Sequence, residues 1–163
     1  MAKVAVHDIN GKNFKVDSKS LIFNPAVYGI IIKRNKILLL PVKYKYALPG
    51  GSIEIGENHT EALIREIKEE TGLIVKPTKI FNIYTSLYKS FKTGTNYHCI
   101  QLFYICKTTN AQVKIHFTKD EKKYLKPAEW IDISKLKSLK YIGTEPVFED
   151  IIKNYKIKTR HKN

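Results

Sequence analysis

The sequence predicts an α+β domain, a mixed β-sheet with helices on its faces. Three observations carry this. The order along the chain is strands, one helix, strands, then helices, which suits a sheet covered on both sides. A single uninterrupted helical stretch, from Asn58 to Thr71, lies between two β-rich regions. The segment Tyr97–Lys107 is apolar on both alternating faces, as a strand buried on both sides must be. At 163 residues the chain has the length of one domain able to bury a sizeable core. It contains no repeat and no linker that would separate two domains.

Val4–Asp8 and Asn13–Val16 read as a small N-terminal hairpin around Asn10-Gly11, a strong turn signal. This hairpin, within residues 1–20, extends the domain. Lys19–Asn24 reads as a connector closed by Pro25. Ala26–Lys33 and Lys36–Val42 are rich in Val, Ile and Leu and read as central strands joined by the two-residue turn Arg34-Asn35. Pro41 ends regular pairing there or marks a bulge. Asn58 is a good N-cap, Glu61 completes a capping box, and Gly72 suits a left-handed C-terminal residue. Leu63 and Ile67 share the buried face of this helix.

Beyond it, Leu73–Lys76 and Thr78–Leu87 read as strand on either side of Pro77, and Tyr88–Asn96 as a loop. In Tyr97–Lys107 the odd separation of Cys99 and Cys106 puts them on opposite faces, so they are expected as reduced core thiols. His98 reads as structural. Thr108–Gln112 is expected as a turn, Val113–Phe117 as a short strand, and Thr118–Pro127 as a charged loop. Ala128–Ile131 is expected as the last strand and Asp132–Leu139 as a short helix. A C-terminal helix opens at Thr144-Glu145 and runs to Tyr155. Lys156–Asn163 is expected to be a basic, disordered tail.

No apolar run approaches the length of a membrane span, and the N-terminus is too polar for a secretory signal. With two separated cysteines, a reducing, cytoplasmic setting is expected. The formal net charge is +14, almost all from lysine, and the only arginines are Arg34, Arg65 and Arg160. Either an AT-rich genome or attraction to polyanions such as nucleotides or RNA accounts for such a balance. Six of the fifteen acids fall between Glu54 and Glu70, so the remaining surface is more basic still.

That acidic segment carries the chemistry. Glu66, Glu69 and Glu70 are spaced i, i+3, i+4, so their carboxylates are expected to converge on one helix face. Like charges at that spacing are unfavourable, and a hard divalent cation, Mg²⁺ or Mn²⁺, resolves the conflict. Paired glycines, Gly50-Gly51, precede the helix and let backbone approach a ligand closely.

The fixed positions Gly51, Glu57, Arg65, Glu66, Ile67, Glu69, Glu70, Gly72 and Leu73 match the spacing G-x5-E-x7-R-E-U-x-E-E-x-G-U, with U a bulky aliphatic residue. This resembles the signature of the Nudix hydrolases, most closely the MutT-like members. The resemblance implies an α/β/α sandwich whose signature forms a loop–helix–loop. It implies metal-dependent hydrolysis of a nucleoside diphosphate linked to another group. Glu66, Glu69, Glu70 and the Gly50 carbonyl match the family's metal ligands. Glu57 matches the loop glutamate that supports the site or holds a second metal, and Arg65 the arginine that orients a glutamate. The general base is expected to be Glu69 or Glu70, or an acid of the later loop, Asp120 or Glu121. Lys43 and Lys45 are candidates for a substrate phosphate, and Tyr44 and Tyr46 for a base.

Tyr88 is similar in position to a downstream tyrosine of dinucleoside polyphosphate hydrolases. No proline stands near it, so the common ADP-ribose pyrophosphatase marker is missing. A nucleoside triphosphate or related small nucleotide is the expected substrate. An RNA 5′ end or a dinucleoside polyphosphate is an alternative, as is a non-catalytic nucleotide-binding regulatory domain. No membrane partner is expected, and a homodimer is compatible with the resemblance.

Overall fold

The structure is a computed structural model and describes residues 2–112, 123, 126–142 and 145–160. Strands β1 (Lys3–His7) and β2 (Asn13–Asp17) form the N-terminal hairpin. Its turn is built by Asp8, whose carboxylate accepts the amides of Asn10 at 2.8 Å and Lys12 at 2.9 Å. There follow β3 (Ile22–Lys33), β4 (Lys36–Val42), β5 (Lys45–Ala47) and β6 (Gly50–Ser52). Helix α1 (His59–Thr71) leads into the long pair β7 (Leu73–Lys89) and β8 (Asn96–Gln112). Strand β9 (Glu129–Asp132), a 3-10 helix (Ile133–Ser138) and helix α2 (Glu145–Arg160) complete the described elements.

The sheet runs β2-β1-β7-β8-β3-β4-β5, with β6 also on β3 and β9 on β4. It is mixed: β3 is parallel to β8 and β1 parallel to β7, while β7 and β8 are antiparallel. Adjacent residues on the central strands enter two different cores. Ile30, Leu39 and Phe103 face one, with Leu136, Val147, Phe148 and Ile151 of the 3-10 helix and α2. Ile31, Leu38 and Tyr104 face the other, with Leu63 and Ile67 of α1. Each such buried side chain contributes about 1.5–3 kcal/mol. This is the α/β/α sandwich. Cys99 and Cys106 are both buried and unpaired. Among the described residues no helix is long and apolar enough to cross a membrane.

Several local expectations are corrected. The stretch read as a connector, Lys19–Asn24, is largely strand from Ile22, because it lies in parallel register on β8, Ile22 against Tyr97. Pro25 sits within β3; its carbonyl still accepts, from the Ile53 amide at 3.0 Å. The Arg34-Asn35 turn forms, both residues having positive φ, 48° and 62°. However, β4 pairs with β3 only at its first rungs and then turns to β9 and β5. Pro77 does not break β7; it coincides with a register shift opposite β8. β7 continues through Tyr88 to Lys89, and β8 continues through Thr108–Gln112, since each long strand supplies the other's hydrogen bonds. Val113–Phe117 lies outside the described residues. Helix α2 continues past Tyr155 to Arg160; no Pro or Gly stands there to stop it.

Helix α1 is set by its caps. Asn58 accepts the amides of Thr60 and Glu61, each at 3.0 Å, and Glu61 reaches back to the Asn58 amide at 3.1 Å. Gly72, with φ of 70°, closes the other end. Asn58→Ala should therefore lower stability by about 1 kcal/mol, read as a fall in the urea midpoint at unchanged slope. No shift of the midpoint would mean that the cap does not hold α1 in place.

Candidate active site

The site begins at the Gly50-Gly51 turn, fixed by antiparallel pairing of β6 with β3, Gly50 opposite Tyr28. Gly50 has φ of 143°, and a Cβ there would lie 2.7 Å from the Tyr28 Cα. A Cβ on Gly51 would lie 2.6 Å from the Glu66 carboxyl group. The turn thus needs glycine for two different reasons: backbone angle at Gly50, and space for a carboxylate at Gly51.

Helix α1 presents its acids to this turn. Glu70 Oε2 accepts the Gly50 amide at 2.8 Å. Arg65 is the hub. Its guanidinium grips Glu57 through two bonds of 2.8 and 2.9 Å, donates to Glu66 at 3.0 Å and to the Ser52 carbonyl at 3.1 Å, and reaches Glu69 at 3.5 Å. Hydrogen bonding to Glu57 raises the Arg65 pKa and lowers that of Glu57, so this pair stays ionised. Glu66 is different. Burial, only partly offset by Arg65, pushes its carboxyl up. Glu69 is 59% exposed at its side chain.

The three helix carboxylates line one cleft, but they do not converge as expected. Among the described residues no three His, Cys, Asp or Glu side chains form a metal-holding group. Glu66 and Glu69 share the Arg65 guanidinium, at 3.0 and 3.5 Å, while Glu70 accepts the Gly50 amide at 2.8 Å. Mutual repulsion, and the hold of the Gly50 amide on Glu70, explain the spread. The donor set itself is hard oxygen, which fits Mg²⁺ or Mn²⁺ better than Zn²⁺.

The cleft encloses about 530 Å³. Gly50, Arg65, Glu66, Glu69, Glu70 and Tyr88 all line it. Glu57 stands behind Arg65. Lys43, Lys45 and Tyr46 are not among the lining residues. Lys43 lies over the Phe91 ring at 4.6 Å, Lys45 donates to the Ile9 carbonyl at 2.5 Å, and Tyr46 donates to Glu129 at 3.3 Å. Tyr44 is bonded to Asn10. These contacts tie the β4–β5 turn to the hairpin and to the end of the sheet. Asp120 and Glu121 lie outside the described residues.

Opposite the acidic helix, the floor comes from three strands that sequence reasoning did not connect. Asn24 and Tyr28 rise from β3, Ser86 and Tyr88 from β7, and Tyr97 and Gln101 from β8. Alternation places each pair on one face, and the register aligns them in rows: Asn24, Cys99 and Ser86 in one, Tyr97 and Tyr88 in the next. The sequence signal of this floor is Gln101, a buried amide between the apolar residues Ile100 and Leu102 of β8.

The fold, the glycine turn and the Arg65-centred acids define a class. Residues 23–151 match the NUDIX domain, and the chain belongs to the Nudix family. It is a hydrolase of phosphoric anhydride bonds, a pyrophosphohydrolase of nucleotide-linked compounds. It is similar to the ADP-ribose pyrophosphatase of Methanocaldococcus jannaschii, with 38% identity over 135 residues, 80% of this chain and 71% of that one. It also resembles the 8-oxo-dGTP diphosphatase of Buchnera aphidicola, 42% identical over 76 residues, 43% of this chain and 58% of that one. In fold it matches a Nudix hydrolase from Nitrosomonas europaea with a TM-score of 0.63 at 22% identity, covering 83% of this chain and 89% of that one.

Proposed function

We propose that the protein hydrolyses a small nucleoside diphosphate-linked compound, with ADP-ribose the first candidate and nucleoside triphosphates the second. The observation that carries this is one cleft with two unlike walls, acidic and Arg65-braced on one side, polar and aromatic on the other. Its volume of about 530 Å³ suits a small ligand, which favours a free nucleotide over an RNA end. The 38% identity to an enzyme named for ADP-ribose supports the order of candidates.

In this reading Glu66, Glu69 and Glu70, with the Gly50 carbonyl, hold a divalent cation, Mg²⁺ or Mn²⁺. The cation, when bound, neutralises the pyrophosphate oxygens and makes water a better nucleophile. The protein's own groups do the rest. Arg65, fixed by Glu57, holds Glu66 and keeps Glu69 nearby. Gly51 leaves room for the Glu66 carboxylate against the turn. Tyr88 and Tyr97, with ring centroids 5.5 Å apart, offer an apolar surface to a nucleoside. Glu69 or Glu70 takes the proton of the attacking water, unless Asp120 or Glu121 does so. Water adds across one P–O–P linkage, so that ADP-ribose yields AMP and ribose 5-phosphate.

The test is turnover of ADP-ribose, dGTP, dinucleoside polyphosphates and 5′-triphosphorylated RNA with Mg²⁺ or Mn²⁺, with products identified by chromatography. Cleavage of ADP-ribose or a nucleoside triphosphate, abolished by EDTA and restored by added metal, is the expected result. Preference for RNA would reverse the substrate order. Absence of turnover on the whole panel would leave a binding domain instead.

A further inference from the structure

The cleft floor holds one buried polar group that no described residue satisfies. The Ser86 hydroxyl oxygen is buried and has no hydrogen-bond partner among the described residues. Beside it on the floor stand Tyr28 and Tyr88, each with an amide side chain near its hydroxyl, Gln101 and Asn24 respectively. Burial raises the pKa of Tyr88 to about 12, so its hydroxyl remains protonated at neutral pH. A buried hydroxyl without a partner destabilises a fold. Such groups in native proteins call for an explanation, and Ser86 lines the substrate cleft.

Its position supplies the explanation. Ser86 lies opposite Cys99, which lies beside Asn24 in the parallel ladder. Asn24 is four residues along β3 from Tyr28, the residue paired with Gly50 at the catalytic turn. At about 3.3 Å per residue that separation is roughly 13 Å. The Ser86 row is therefore set back from the metal-binding acids, beside the Tyr88–Tyr97 ring pair.

We infer that Ser86 is a specificity-determining residue. Its hydroxyl turns to hydrogen-bond the nucleoside part of the substrate, a ribose hydroxyl or a polar edge of the base, while the phosphates lie at the glutamates. The inference rests on the proposed hydrolysis of a nucleotide-linked compound. It assigns Ser86 to binding and not to the chemical step, so its loss acts on KM.

The experiment compares wild type, Ser86→Ala and Ser86→Thr with ADP-ribose as substrate and inorganic pyrophosphate as a nucleoside-free inhibitor. Ser86→Ala should raise KM about tenfold, with kcat retained and pyrophosphate inhibition unchanged. Its Tm without nucleotide should be equal to or above wild type, because an unpaired buried hydroxyl has been removed. Ser86→Thr, which keeps the hydroxyl, should return KM toward the wild-type value. Unchanged KM in Ser86→Ala overturns the inference, and so does a lowered Tm with equal losses toward ADP-ribose and pyrophosphate, which would make Ser86 structural. Those outcomes leave the hydrolase reading standing. A wild-type chain that turns over no nucleotide removes both.

Discussion

Glu69→Gln is expected to lower kcat on the preferred nucleotide by on the order of a hundredfold to a thousandfold, the usual effect of deleting one preorganised electrostatic stabiliser. The fold should survive. Glu69 is 59% exposed, and its ion-pair contact with Arg65 is long, at 3.5 Å. Exposed substitutions of this kind stay within about 0.5 kcal/mol, a Tm change of about 2 °C or less. The same experiment on Glu66 would be harder to read. That carboxylate is 18% exposed, touches the Gly51 turn and is held by Arg65, so its loss alters packing as well as charge. Steady-state kinetics and a thermal melt of Glu69→Gln decide the matter. Turnover within a few-fold of wild type would remove Glu69 from both metal binding and proton transfer.

Phe103→Ala should be the most damaging single core change for both stability and the cleft. Phe103 is fully buried at the centre of β8. Its ring stacks on Tyr28 with centroids 5.3 Å apart and meets Tyr84 edge-on at 5.8 Å. Truncation should cost about 3–5 kcal/mol, through lost burial and the cavity left behind. For a domain of this size that is a fall in Tm on the order of 10 °C. Because Tyr28 is both its stacking partner and the neighbour of Gly50, nucleotide binding should weaken in parallel. Phe103→Leu, which fills most of the volume, should recover much of the loss. A Tm within about 2 °C of wild type in Phe103→Ala would mean that this ring does not couple the core to the site.

What was legible in the sequence was what neighbours in the chain decide. The capping box at Asn58 and Glu61, the Gly72 stop and the Arg34-Asn35 turn all depend on contacts within a few residues, and all are present. So are the alternating faces of β8 and the opposite placement of the two cysteines. Extended segments were harder. Ile22–Asn24 and Thr108–Gln112 carry no strong strand signal of their own, and each is drawn into the sheet by a partner far along the chain. Lys43, Lys45 and Tyr46 were plausible ligand contacts by proximity to Gly50. In the structure the turn at Lys43, with φ of 55°, sets Lys43 over Phe91, Lys45 on the Ile9 carbonyl and Tyr46 on Glu129.

The sequence by itself determined the chemistry of one wall. A single helix with fixed caps carries Arg65, Glu66, Glu69 and Glu70, and local helical geometry sets their common face. Only the tertiary structure decided the other wall. Asn24 comes from β3, far along the chain from the β7–β8 pair that carries Ser86, Tyr88, Tyr97 and Gln101. The β7–β8 hairpin brings Tyr88 to Tyr97 across a short loop, but the parallel register of β3 on β8 is set by two hydrophobic cores packed against opposite faces of the sheet. A slip of one residue would turn each of these side chains to the other face, which is why the floor of the cleft belongs to the tertiary structure.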